Sequence, residues 1–224
     1  MKTRRYALLL ACLAVFIGTG AQNNMFQREF FVGFGGGLNF SQIGFTPKVN
    51  QLFHPGLQGG VSVRWITNRN LGLTAEVNFA QQGWGEDFSE STDGEGFNYS
   101  RTINYVELPF MTHIYAGSNR ARFIFHVGPK LGYALGESTE TNLNGATPGN
   151  HRNEQHDMPL EYNLDWGICG GPGFELRTGI GTFVLEGRLY FALGNIYGNS
   201  KSDFFAKSNG MTLSAKLSYL FKLR

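Results

Sequence analysis

The sequence predicts an all-β fold: an eight-stranded antiparallel up-and-down transmembrane β-barrel with long extracellular loops and short periplasmic turns. Three observations predict it. The first is the closing stretch, residues 211–224. Met211, Leu213, Ala215, Leu217, Tyr219, Phe221 and Leu223 make one apolar row, opposed by Thr212, Ser214, Lys216, Ser218, Lys222 and Arg224, with Leu220 the single exception. A period of two is a strand with one oily and one wet face, and its length suits a tilted bilayer crossing, which takes about 9–11 residues. The second is composition: 16% charged residues is low against the usual quarter or so, while aromatics reach 14% with 20 Phe and Gly numbers 31. Nothing after the first 21 residues approaches the roughly 18 consecutive apolar residues of a helical span. The third is the connections, short and Gly/Asn-rich on one side, long and polar on the other.

The chain opens with Lys2, Arg4 and Arg5, an apolar run over residues 6–17, and the small residues Gly18, Gly20 and Ala21. That order reads as a secretory signal over residues 1–21, cleaved after Ala21. The run is short for a retained anchor, and Leu9-Leu10-Ala11 is a poor lipobox before Cys12. Cleavage would take three basic and no acidic residues, leaving 16 Lys and Arg against 17 Asp and Glu, so no case for nucleic acid remains. Cys169 is then alone and cannot staple the fold. Residues 22–28 are a short lead-in and residues 29–224 one barrel domain.

Eight alternating segments follow. Residues 29–41 set Phe30, Val32, Phe34, Leu38 and Phe40 against Phe31, Gly33, Gly35, Gly37 and Asn39. Residues 57–66 set Leu57, Val61, Val63 and Trp65 against Gln58, Ser62 and Arg64, and residues 71–82 set Leu73, Ala75, Val77 and Phe79 against Thr74, Glu76 and Asn78. Residues 102–116 oppose Val106, Leu108, Phe110 and Ile114 to Tyr105, Glu107, Pro109 and His113. Residues 121–135 oppose Phe123, Phe125, Val127, Leu131 and Tyr133 to Arg122, His126 and Lys130. Residues 162–177, 183–193 and 211–224 complete the set, with Asp165, Glu175, Arg177, Glu186, Arg188 and Lys216 on their wet rows. Thr67-Asn68-Arg69-Asn70, Gly117-Ser118-Asn119-Arg120 and Thr178-Gly179-Ile180-Gly181 are hairpin turns. Residues 42–55, 83–100, 136–160 and 196–209 are the long loops. An even strand count puts both termini on the short-turn side, the periplasm, and closing the last strand on the first removes both sheet edges.

The wet rows carry a charge set, Arg64, Glu76, Glu107, Lys130, Asp165, Glu175, Arg177, Glu186, Arg188 and Lys216, while the oily rows carry essentially none. A cation on the lipid face costs roughly 2–4 kcal/mol at the midplane, so the charges are placed in the lumen. Arg122, beside a turn, is expected to be solvated. An eight-stranded barrel encloses little more than its own side chains, so the interior reads as a packed polar network. Gly33, Gly35 and Gly37 leave room on one wall for side chains from other strands. Trp65, Tyr115, Tyr219 and Phe221 are expected to form an aromatic girdle at the periplasmic interface. His151, Glu154, His156 and Asp157 cluster in the longest loop without any metal-ligand spacing, and Glu86, Asp87, Glu90, Asp93 and Glu95 make another loop acidic. No pattern asks for a cofactor. A catalytic arrangement is available only in the loops, from His151 or His156 with Ser89 or Ser91.

Several ordered pieces carry a family resemblance: Gly37-Leu38-Asn39-Phe40-Ser41, Ala75-Glu76-Val77-Asn78-Phe79 with Gln82-Gly83, Tyr105-Val106-Glu107-Leu108-Pro109, Gly128-Pro129-Lys130-Leu131-Gly132, Asp165-Trp166-Gly167 with Gly171 and Gly173, and Arg188-Leu189-Tyr190 with Gly194-Asn195-Ile196. In their order and spacing they resemble the PorT-like outer-membrane β-barrel proteins of Bacteroidota. The resemblance implies the barrel fold, an outer-membrane location and an accessory part in type IX protein secretion, and it supplies no catalytic residues. The function expected is a non-enzymatic structural or interaction barrel. The alternatives are a small porin-like channel and a lipid-modifying enzyme. Expected partners are outer-membrane lipid and lipopolysaccharide on the oily rows, the barrel-assembly machinery on the terminal strand, and a secretion-system or surface-protein partner on the long loops.

Overall fold

The computed structural model describes residues 27–89, 96–143, 153–156, 158–200 and 203–223. The expected signal over residues 1–21, its expected cleavage point and Cys12 lie outside these residues. The strands are β1 (Glu29–Thr46), β2 (Gln51–Leu52), β3 (His54–Asn68), β4 (Leu71–Glu86), β5 (Asn98–Gly117), β6 (Ala121–Asn142), β7 (Leu164–Arg177), β8 (Thr182–Ala192) and β9 (Lys207–Lys222). All pair antiparallel, in the order β2-β4-β3-β1-β9-β8-β7-β6-β5, and β4 pairs with β5. Leaving aside the two-residue β2, which sits on the end of β4 through Gln51↔Glu86, the result is a closed ring of eight strands. The seam runs from Phe31↔Lys222 to Thr46↔Lys207. Closure matters because hydrocarbon cannot hydrogen-bond an open edge.

Alternation then sorts side chains to two surfaces. Outward stand Phe34, Val61, Val77, Leu108, Phe110, Phe125, Leu131, Ile168, Leu185 and Leu217, all exposed. Inward stand Asn39, Arg64, Glu76, Glu107, Lys130, Arg188 and Lys216, all buried. The oily surface lies where lipid tails replace water, so its exposure carries no hydrophobic penalty.

Each hairpin turn satisfies its own backbone. Ser118 N–H donates to Ala121 C=O at 2.9 Å, and Thr178 N–H to Gly181 C=O at 2.8 Å. Gly117, with φ at +135°, holds a conformation that a β-carbon disfavours. At the opposite end β4, β5 and β6 run well past the predicted limits, to Glu86, from Asn98 and to Asn142. Above the membrane both faces of these strands meet protein or water, so the two-residue period fades while the ladder continues. β7 starts at Leu164, two residues later than predicted.

The seam leaves no room for a side chain at Gly37. A β-carbon at Gly37 would lie 1.9 Å from the Ala215 carbonyl oxygen and 2.8 Å from Lys216 Cα. Glycine here admits the β9 backbone rather than simply leaving room for distant side chains. Gly37→Val is therefore expected to prevent seam closure. In SDS gels the wild-type band should shift on boiling; the variant should run at its unfolded position with or without heat, and a wild-type-like shift in the variant would contradict this account.

Candidate functional site

The interior is stacked in three tiers. Nearest the short turns, Phe31, Ile66, Tyr115, Ile124, Val184 and Leu220 form a buried apolar cluster. Each keeps the inward parity of its strand, so these are the places where the wet row turns oily. Leu220, an exception in the β9 pattern, is 1% exposed and belongs to this floor.

Over the floor lie the charges. Glu175, wholly buried, accepts from Arg64 at 2.6 Å and Arg177 at 2.7 Å, and Arg177 reaches on to Glu29 at 2.8 Å. Glu76 accepts both Arg188 terminal nitrogens, at 2.8 and 2.6 Å, and Lys216 Nζ at 2.7 Å, with Asn78 Nδ2 at 2.9 Å. Arg188 also pairs with Glu186. Glu186 in turn meets His126 at 2.7 Å, and His126 lies 2.8 Å from His113. Above them Glu107 accepts from Lys130 and Gln82. The Lys130 ammonium sits 3.4 Å over the Tyr190 ring, whose hydroxyl donates to Asp165 at 2.7 Å. Carboxylates held by two or more donors recover the solvation lost on burial, which a single partner rarely does.

The ten wet-row residues named from sequence thus share one lumen. Eight are buried, while Asp165 and Arg177 are half-buried. Arg122 departs from expectation. It is not solvated: it is 9% exposed, its guanidinium lies 4.4 Å over the Tyr115 ring and 3.8 Å from Glu175, and its Nε donates to Ser118 C=O. Tyr115 also departs. It is 6% exposed, points inward and donates its hydroxyl to Asn68 C=O at 3.1 Å, so it is no part of a lipid-facing girdle. Its parity with Glu107 and His113 already placed it inside. Trp65 and Phe221 are exposed on the outer surface, and Tyr219 leans between Phe183, Phe221 and Phe34 there.

The third tier is a cap at the long-loop end. Ile43, Phe45, Val49, Trp84, Phe88, Tyr99, Ile103, Tyr105, Ala134, Ile196, Tyr197 and Phe205 form one buried cluster drawn from several strands and connections. Arg101 ties it together: it donates to Glu137 at 2.8 and 2.5 Å, to the Met158 carbonyl at 2.7 Å and to the Tyr197 hydroxyl at 3.0 Å. Burial raises the Tyr197 hydroxyl above its ordinary pKa. His156 stacks on Tyr99, centroids 3.8 Å apart, and binds Glu86 at 2.8 Å. Ser89 N–H donates to Asp87. Among the described residues the partners of the His156 ring are a carboxylate and an aromatic face, with no serine hydroxyl. His151, Asp157, Ser91, Glu90, Asp93 and Glu95 lie outside the described residues. Among those described, no group of three or more His, Cys, Asp and Glu is placed to hold a metal.

Sequence reading missed the cap, because nine of its twelve buried residues come from stretches assigned to the long loops, outside the alternating segments. Their aromatic density was the available signal. Between cap and floor a void of about 20 Å³ remains beside Gln58, Lys130, Arg188 and Tyr190, the scale of a single water molecule.

A family model described as outer membrane protein beta-barrel domain matches residues 20–198. Solved structures similar to the chain include OprG from Pseudomonas aeruginosa, at 11% identity over 86% of this chain and 95% of that one, TM-score 0.45. Ail of Yersinia pestis is similar at 12% identity over 86% and 99%, TM-score 0.41. Neisserial surface protein A is similar at 10% identity over 88% and 100%, TM-score 0.43. A comparison with curated proteins finds no match.

Glu76 is the most heavily shared acceptor. Glu76→Ala leaves Arg188 and Lys216 buried with a carboxylate removed, and should cost about 3–5 kcal/mol. The check is urea unfolding in detergent micelles followed by tryptophan fluorescence; a loss under about 1 kcal/mol would show that water reaches the network.

Proposed function

The chain belongs to the outer membrane β-barrel domain family, and from that premise we propose that it is a non-enzymatic interaction protein: a rigid barrel that holds a folded cap outside the bilayer. One observation carries this reading. The lumen is stoppered by an apolar floor and an apolar cap, with an ion network between them. A barrel so filled offers solutes no path, which weighs against the porin-like alternative. Its material is spent on presenting loops, where binding residues concentrate on rigid scaffolds.

In this reading both termini and the short turns face the periplasm, supported by the even number of ring strands and the contrast in connection length. The oily belt contacts outer-membrane lipid and lipopolysaccharide, and the terminal strand with Tyr219 and Phe221 is what assembly machinery reads. The sharper form makes the chain a PorT-like protein of Bacteroidota, accessory to type IX secretion. The ordered motif resemblance, from Gly37-Leu38-Asn39-Phe40-Ser41 to Gly194-Asn195-Ile196, supports it.

Three measurements test these levels separately. Purified chain in planar bilayers should give no conductance steps, and steady steps would restore the channel. A deletion strain should retain type IX cargo in the periplasm, and normal secretion would remove the accessory role. An altered lipid A or phospholipid profile in that strain would bring back the enzyme.

A further inference from the structure

Above the membrane the sheet stops being a ring. β6 pairs with β7 only as far as Tyr133↔Leu164, with one more bond from Ala134 N–H to Asn163 C=O at 2.8 Å. Its pairing with β5 continues to Asn142↔Asn98. Residues 135–142 of β6, Leu-Gly-Glu-Ser-Thr-Glu-Thr-Asn, therefore have a strand partner on one side only among the described residues, and all of them are exposed. Along such an edge alternate N–H and C=O groups face outward, a ready template for an added strand. Natural edges are commonly blunted by Pro, by charged side chains or by β-bulges. This one has no Pro and no Lys, and its two charges are Glu137 and Glu140. Its register shift against β5 falls at the first residue, Leu135, so that residues 136–142 keep an unbroken register in which Ser138, Thr139 and Thr141 suit an extended backbone.

The edge is also held still. Tyr99 and Arg101 on the neighbouring β5 are anchored in the cap by His156, Met158 and Tyr197, and Arg101 grips Glu137 on β6. A rigid edge loses little entropy when a strand adds to it.

Charge says what kind of strand fits. Eleven of the 17 Asp and Glu residues fall within residues 42–55, 83–101, 136–163 and 195–209, against five Lys and Arg. Among the described residues of those ranges Glu86, Asp87, Glu137, Glu140, Glu154, Glu161 and Asp203 stand against Lys48, Arg101 and Lys207, so the long-loop end is negative, and the edge itself carries Glu137 and Glu140 and no cation. A second copy of this chain fits badly: an antiparallel pairing centred on the edge sets Glu137 of one copy opposite Glu140 of the other, and like charges directly opposite destabilise a sheet.

We infer that residues 135–142 of β6 form a docking edge that accepts an extended, Lys- or Arg-bearing segment of a protein partner as an added antiparallel strand. This rests on the interaction-protein reading above and gives it a surface and a partner chemistry. Main-chain bonds supply the affinity, and the acidic surroundings supply selection and steering.

The test uses the full chain folded in detergent micelles and fluorescein-labelled octapeptides read by anisotropy. The probes are an alternating Lys-Thr peptide, its Glu-Thr counterpart, and two Lys-Thr copies backbone-N-methylated on odd or on even residues. The Lys-Thr peptide should bind, with the Glu-Thr peptide weaker by about tenfold or more. One methylation phase should leave binding intact and the other should abolish it, because only one phase meets the edge. Glu140→Lys, which alters an exposed residue and should keep the heat-shifted gel band, should weaken the Lys-Thr peptide by severalfold. Absence of binding overturns the inference. So does equal binding of both methylated copies, which would mean attraction by charge alone, and so does a two-chain particle mass without peptide, which would mean a second copy on the edge. Failure here beside lost cargo secretion in the deletion strain overturns the edge and leaves the secretory role; binding beside normal secretion does the reverse.

Discussion

Hydrocarbon offers no hydrogen bonds, and the rest of this structure follows from that. A sheet crossing it must have no free edge, so β9 has to return to β1. Eight strands bent into a ring leave a bore too narrow for a stream of water and too wide to be left empty. Side chains must fill it, and those facing inward are the ones the alternation leaves polar. The ion network is thus a consequence of closure. Gly37 belongs to the same chain of cause, since the seam brings the β9 backbone where a β-carbon would otherwise sit.

Filling the bore with charges raises a second requirement. Each buried carboxylate needs more than one donor to offset its desolvation. Glu76 gathers Arg188, Lys216 and Asn78, and Glu175 gathers Arg64 and Arg177. Asn78 and Arg177 share a strand with the carboxylate they bind, but Arg188 and Lys216 reach Glu76, and Arg64 reaches Glu175, from strands far apart in sequence, so the network ties opposite walls of the barrel together. Apolar tiers lie at both ends of the network, shielding its centre from the water that would screen it, while at the short-turn end the chain of pairs runs out through Arg177 and Glu29 to the exposed Lys222. At the long-loop end aromatic residues build a second core outside the membrane, and water makes an open strand edge tolerable again.

Strand positions and facing were legible because lipid on one side and a polar lumen on the other impose opposite chemistries on alternate residues. The same parity held for Ile66, Ile124 and Val184, whose apolar character says only that the lumen ends there. Tyr115 shows the risk of reading type before parity: an aromatic near a strand end suggested a girdle, but its register with His113 put it inside. Arg122 shows a related error, because nearness to a turn does not mean contact with water when a carboxylate and a ring lie within reach.

By itself the sequence determined the ring of strands, which face of each is oily, and which charges are kept from lipid, since each follows from a local period of two and the cost of a charge in hydrocarbon. Only the tertiary structure decided which Arg meets which Glu, that Phe31 and Leu220 close one end while Trp84, Tyr197 and Phe205 close the other, and that β6 outruns β7 to leave an edge. Those outcomes depend on register and tilt around the whole ring, and no single strand contains that information.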